Sequence, residues 1–191
     1  MWGTAWHDGR VDDRALVDAV RSGDRQAFGI LVERETASVY RACHRILGRR
    51  HDAEDVTQES FVAAYRAIGS YRGDGSLRGW LMTIATRRAF RRLSQRRPEA
   101  ELDAVAEPFL ADVAADPKLL VVAAESRAEI RDAVARLPDP YREVVALRFF
   151  GDLSLAEVAE ATGRPINTVK THLRRGLERL RPVVAAEEPD R

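Results

Sequence analysis

The 191 residues carry 31 basic and 30 acidic side chains, a net charge of +1, and 45% hydrophobic residues. This suits one or two small domains with packed cores. It excludes a disulfide scaffold, since Cys43 is the only cysteine. It also excludes a spanning segment or an opening signal peptide, so a cytoplasmic protein with a buried, inert thiol is expected.

Residues 1–11 hold Trp2, Trp6 and His7 and read as a flexible start. A short helix follows over 12–22, with Leu16, Val17 and Val20 inward and Gly23 as its stop. Residues 24–47 form a long helix whose buried side is Ala27, Phe28, Leu31, Val39, Cys43, Ile46 and Leu47, ended by Gly48. Asp52 is expected to cap the next helix, which runs to about Ile68. Its inner stripe is Val56, Ser60, Phe61, Ala64, Tyr65 and Ile68. Its outer face is polar and mostly acidic, with Glu54, Asp55, Gln58 and Glu59. Carboxylates early in a helix also suit its dipole.

Two glycines within residues 71–76 mark a loop. The helix after it starts near Leu77 and reaches about Arg97, with Trp80, Leu81, Ile84, Ala85 and Leu93 inward. Its second half holds six arginines and no acid between Arg87 and Arg97. Arg87, Arg88, Arg91 and Arg92 share one sector at helical spacing, a footprint for a polyanion. Net charge near zero therefore hides strong patterning.

Residues 98–117 hold six carboxylates, three prolines and no basic residue, which reads as a flexible acidic linker. Helix resumes from about Lys118 to Leu137 and breaks at Pro138-Asp139-Pro140. Asp139 is expected to cap another helix, with Tyr141, Val144, Val145 and Phe149 inward and Gly151 at its end. Two helices and a tight turn then fill 153–181. Ser154 and Glu157 make a capping box, Gly163 supplies the left-handed residue, and Pro165 opens the second helix. Val158, Ala159, Ile166, Val169, Leu173, Leu177 and Leu180 form the apolar stripe. Asn167, Thr168, Lys170, Thr171, Arg174 and Arg175 form the opposite face, able to donate to phosphates and base edges. This is the pattern of a helix-turn-helix. Residues 182–191 read as a disordered tail.

No strand pattern appears. The expected fold is all-α, with two small helical domains, 12–97 and 118–181, joined by the linker. His7, His44, His51 and His172 share no ligand spacing, and no phosphate loop or nucleophile motif is present. Neither an enzyme nor a cofactor or metal is expected.

Four segments occur in a telling order. They are Asp52-Ala-Glu-Asp-Val-Thr-Gln-Glu-Ser-Phe61, Arg78-Gly-Trp-Leu-Met-Thr-Ile-Ala85, Leu137-Pro-Asp-Pro-Tyr-Arg-Glu-Val144, and Leu153-Ser-Leu-Ala-Glu-Val-Ala159 with Thr168-Val-Lys-Thr171. Together the chain resembles the extracytoplasmic-function subgroup of bacterial sigma-70-type transcription initiation factors over about residues 20–97 and 118–181. The resemblance implies a first domain, region 2, that binds core RNA polymerase and the −10 promoter element. Asp55, Gln58 and Glu59 would dock on a coiled coil of the largest polymerase subunit. Arg87, Arg88, Arg91 and Arg92 would grip the opened strand. Region 4 would read the −35 element with Asn167, Thr168, Lys170, Thr171, Arg174 and Arg175. An anti-sigma partner is implied, and no further C-terminal domain. Arg87 stands where members often carry asparagine, and Ile166 where the residue is usually polar or small. A stand-alone helix-turn-helix regulator is the alternative, against which stands the acidic patch at 52–59. A scaffold or anti-sigma-like protein is a third class, against which stand the two basic helices.

Overall fold

The computed structural model describes residues 12–95 and 117–185, and every regular element among them is helical. Four helices build the first body: α1 (Asp13–Arg21), α2 (Arg25–Leu47), α3 (Arg50–Ala67) and α4 (Leu77–Ser94), with a 3-10 turn (Ile68–Ser70) after α3. Four more build the second: α5 (Pro117–Arg136), α6 (Tyr141–Phe149), α7 (Leu155–Thr162) and α8 (Ile166–Ala185). Residues 1–11, most of the acidic segment and the last residues of the tail lie outside the described residues.

Local chemistry sets most boundaries. Asp12 and Asp24 cap α1 and α2 by accepting from backbone N–H groups. Gly48 turns left-handed at φ 70° and stops α2. Because Arg49 is extended straight after it, α3 starts at Arg50, three residues before the start expected from a cap at Asp52. Asp52 therefore lies in the first turn and is not the cap. Asp139 does not cap α6 either. Pro140 holds that position, and the Asp139 carboxylate accepts from Arg142 Nη2 at 2.6 Å.

Helix α4 lies at the centre. It packs on α2 and α3 on one side and touches α5, α6 and α7 on the other. It can do so because it is buried on two faces. Thr83 and Thr86 are buried with their hydroxyls donating to the carbonyls of Gly79 and Met82, so neither hydroxyl is left unpaired. The two bodies consequently share one apolar core. Val39, Ile46, Leu47, Leu81 and Met82 of the first meet Val144, Leu147, Leu153 and Val158 of the second, all buried. Burial of each such side chain contributes about 1.5–3 kcal/mol, so this seam outweighs the ion pairs along its edge, worth about 0–1 kcal/mol each. A smaller cluster under α1 joins Leu16, Val17 and Val20 to Leu31, Tyr71 and Leu77.

Four residues expected inward, and one span expected to be disordered, fall differently. Tyr65 is 41% exposed, its ring edge-on to Phe28 at 5.0 Å. Phe149 is 48% exposed, because α6 buries Val144, Val145, Ala146 and Leu147 in succession and Phe149 lies past the seam. Ile166 and Leu177 are 43% and 41% exposed. The seam of α8 runs instead through Val169, Gly176 and Leu180, and a Cβ at Gly176 would stand 2.8 Å from Val145 Cγ2. Only a glycine permits that approach. Finally α8 continues through Pro182 to Ala185, where a disordered tail was expected. A proline in the final turn removes one backbone bond and leaves the rest of the helix intact.

Candidate nucleic-acid interface

The second helix-turn-helix arm is held rigidly from below. The Ser154–Glu157 capping box is complete, and Gly163 takes φ 64°. Its backbone and side-chain bonds to Ser154 hold the Glu157 carboxyl below its ordinary range. Tyr141 of α6 supports α8 twice: His172 lies edge-on to its ring at 5.6 Å, and the Arg179 guanidinium stands 4.6 Å over it. Desolvation, then Arg164 and Arg175, depress the His172 pKa.

On this base Asn167, Lys170, Arg174 and Arg175 are exposed, and Thr168 and Thr171 are half-buried. The Thr171 hydroxyl donates to the Asn167 carbonyl, and Arg174 pairs with Glu178 at 2.5 Å. The six residues share one face of α8, with the four exposed side chains outermost and the two threonines at its half-buried positions. Donors in such an array suit phosphates and the base edges of a major groove.

The arginines of α4 divide into two sets. Arg87 and Arg91 are exposed; Arg88 and Arg92 lean on α3. Arg92 lies 3.3 Å from Glu59 and 3.9 Å from Asp55, and Arg88 lies 3.5 Å from Glu59. Asp55, Gln58, Glu59, Val62, Ala63, Arg66 and Arg88 line an open groove of about 640 Å³. The acidic face is thus one wall of a groove whose other wall is basic, which the sequence alone did not reveal.

Sequence reasoning also missed Glu143. Its side chain is 9% exposed, with Oε1 accepting from Arg87 and Oε2 from Arg164 at 2.6 Å. Burial pushes its carboxyl up, but the hydrogen bonds from Arg164 and Arg87 outweigh that and hold it below the usual range. Glu35 was missed as well: 6% exposed, it takes Arg34 Nε at 3.0 Å and lies 3.9 Å from Arg78. Its signal was present, since Glu35 sits midway between Leu31 and Val39 on the buried stripe. Cys43 is buried, which raises its pKa to about 11, so it is an inert thiol. Among the described residues no three acidic, histidine or cysteine side chains form a metal cluster.

A helix-turn-helix body with a basic outer face, joined to a second body with an arginine helix, defines a DNA-binding protein of two helical domains. Residues 31–99 match the sigma-70 region 2 family and residues 127–180 the sigma-70 region 4 family. The ECF RNA polymerase sigma factor SigW of Bacillus subtilis is 35% identical over 173 residues, covering 86% of this chain and 92% of that one. The chain belongs to the extracytoplasmic-function sigma factors of the sigma-70 family. Two solved structures share its fold. CnrH, in complex with the cytosolic domain of CnrY, has a TM-score of 0.62 at 24% identity and covers 92% of this chain and 99% of its own. The sigma factor RpoE of Bartonella quintana, in complex with the anti-sigma factor NepR, has 0.51 at 20% identity and covers 85% and 99%.

Proposed function

We propose that this sigma factor docks on core RNA polymerase through Asp55, Gln58 and Glu59. The same first body, residues 12–97, meets the −10 element with Arg87, Arg88, Arg91 and Arg92. The second body, residues 118–181, reads the −35 element with Asn167, Thr168, Lys170, Thr171, Arg174 and Arg175. The chemistry of initiation belongs to the polymerase, and the chain acts by positioning it.

The observation that carries this reading is the placement of three charged surfaces on separate helices of one chain. Carboxylates stand on α3, arginines on α4 and donors on α8. The α3 groove pairs acids with exposed Val62, 50% accessible, which suits a partner helix carrying arginines beside an apolar stripe. The complex of RpoE with an anti-sigma factor supports a protein of that class as a partner here. No described helix is long and apolar enough to cross a membrane, consistent with action in the cytoplasm.

Mixing the purified chain with core polymerase tests the reading. Co-elution and initiation at a defined start on a promoter template are the expected results. Sequence-specific DNA binding without any affinity for core polymerase would instead make the chain a stand-alone regulator.

A further inference from the structure

The first turn of α8 carries a side chain that its polar face does not account for. Ile166 opens the helix, is large and apolar, and is 43% exposed. It cannot roll inward. The Pro165 carbonyl accepts from the N–H groups of Thr168 and Val169 at 2.9 and 3.1 Å, which fixes the turn. Val169 is fully buried and sets the rotation of the helix on its core. A β-branched residue in a helix holds essentially one χ1 rotamer, so Ile166 presents its methyl groups in one place.

Its surroundings are the donors of the outer face. Asn167 follows it and is exposed, and exposed Lys170 lies one turn on along the same side. A helix-turn-helix enters the major groove with the N-terminal residues of its second helix against the base edges. Ile166 stands at that end of α8. Its side chain can neither donate nor accept, so against a polar base edge it would leave groups unpaired. Of the four bases only thymine offers an apolar group in the major groove, its C5-methyl.

Resting on the reading of α8 as the −35 helix, we propose that Ile166 reads one thymine of the −35 element through its C5-methyl group. The donors beside it supply affinity through phosphates and polar base edges. Ile166 supplies discrimination at a single base pair and adds nothing to the charge of the face. The apolar flank continues through half-buried Leu173 to Leu177, which is 41% exposed. Leu177 lies three turns further on, about 16 Å along the axis at about 1.5 Å per residue, and cannot share a base pair with Ile166. Lys170 interrupts this flank, which favours a polyanion over an apolar protein partner there.

Removing the methyl group from the DNA tests this. The probe is a duplex promoter whose −35 element the complex of this chain with core polymerase has selected from a library randomised there. Each thymine is replaced in turn by deoxyuridine, which keeps every hydrogen bond and lacks only the methyl. At one thymine the replacement should weaken binding of the wild-type complex about three- to fivefold, the worth of one buried methyl-sized group. Ile166→Ala should bind the two duplexes alike, with an unchanged salt slope, because no phosphate contact is lost. Ile166→Val should keep part of the difference and Leu177→Ala all of it. A wild-type complex indifferent to every thymine methyl overturns the proposal without recourse to any variant. An undiminished difference in Ile166→Ala overturns it as well. Equal loss of affinity for core polymerase in Ile166→Ala and Leu177→Ala, with the thymine difference intact, would make the flank a protein-docking stripe instead. A wild-type complex that selects no −35 sequence at all would overturn the reading of α8 itself, and this inference with it.

Discussion

Arg92 on α4 lies 3.3 Å from Glu59 on α3, so a carboxylate proposed to meet the polymerase is already paired with an arginine proposed to meet DNA. Arg88 repeats the relationship with the same carboxylate at 3.5 Å. Docking an arginine-bearing partner on Glu59 would replace these pairs and release Arg88 and Arg92 toward the strand. Polymerase binding and strand binding are then coupled through shared charge.

That coupling sets the first prediction. Asp55→Asn with Glu59→Gln removes attraction without adding repulsion, and its stability should fall within about 0.5 kcal/mol of wild type. Asp55→Lys with Glu59→Lys places ammonium groups against Arg88 and Arg92. It should cost about 1 kcal/mol, a fall in Tm of about 2–4 °C. Both variants should weaken binding to core polymerase, the reversal by at least tenfold. Thermal melts and a core-binding titration check this, and unchanged core affinity in both would remove α3 as the docking helix.

The second prediction concerns the reading helix. Arg174 is tied to Glu178 at 2.5 Å, whereas no ion pair to Lys170 or Arg175 forms among the described residues. Alanine at a base-reading position should cost about 1–3 kcal/mol and relax the −35 preference there. Alanine at a phosphate contact should weaken all promoters alike and lower the salt slope by about 1. Arg175→Ala and Lys170→Ala should each exceed Arg174→Ala in effect. Transcription across a salt series with −35 variants separates the cases, and wild-type behaviour from all three would exclude this face.

Legibility in the sequence followed the range of the forces involved. The capping box at Ser154, the left-handed Gly163 and the stripes of α1 and α2 depend on neighbours within one or two turns, so the pattern displays them. The face of α8 was legible for the same reason. The seam was not. Val144, Val145 and Leu81 read as ordinary core residues of separate domains, and nothing in their spacing says which body covers them. Glu143 was quoted in the Tyr-Arg-Glu segment, yet its partners Arg87 and Arg164 lie 56 and 21 residues away. Ile166 and Leu177 were misplaced because the apolar stripe is continuous in sequence, while packing chose Gly176 for the tight approach to Val145.

The Glu143 carboxyl makes the packing of the two bodies sensitive to acid. Its pKa is held below the ordinary value of about 4.3 when Arg164 and Arg87 donate to it. A depressed carboxyl contributes stability that is fully present above the unperturbed pKa and is lost as pH falls through the depressed one. This packing should therefore be constant from about pH 8 to 5 and weaken below about pH 4. A fluorescence pair placed on α2 and α8 should report the separation. Glu143→Gln should lack this acid limb, and a limb that survives the substitution would assign it to other carboxylates.

Arg87 is the residue at which the proposed −10 contact and the ion pair to Glu143 meet. Asparagine, frequent at this place in the family, both donates to and accepts from a base; arginine only donates. Arg87 therefore favours an edge with two acceptors, as guanine offers, or a phosphate. Arg87→Asn should change transcription in one of two ways. If Arg87 reads a base, a library randomised across the −10 element should show a new preferred base at one position. If it clamps the backbone, output should fall uniformly across the library. Either way the variant loses the guanidinium that spans to Glu143 at 2.5 Å, so the two bodies should separate more readily, as a fluorescence pair on α2 and α8 would report. Unchanged base preference with full output, together with unchanged separation, would show that Arg87 serves neither the promoter nor the seam.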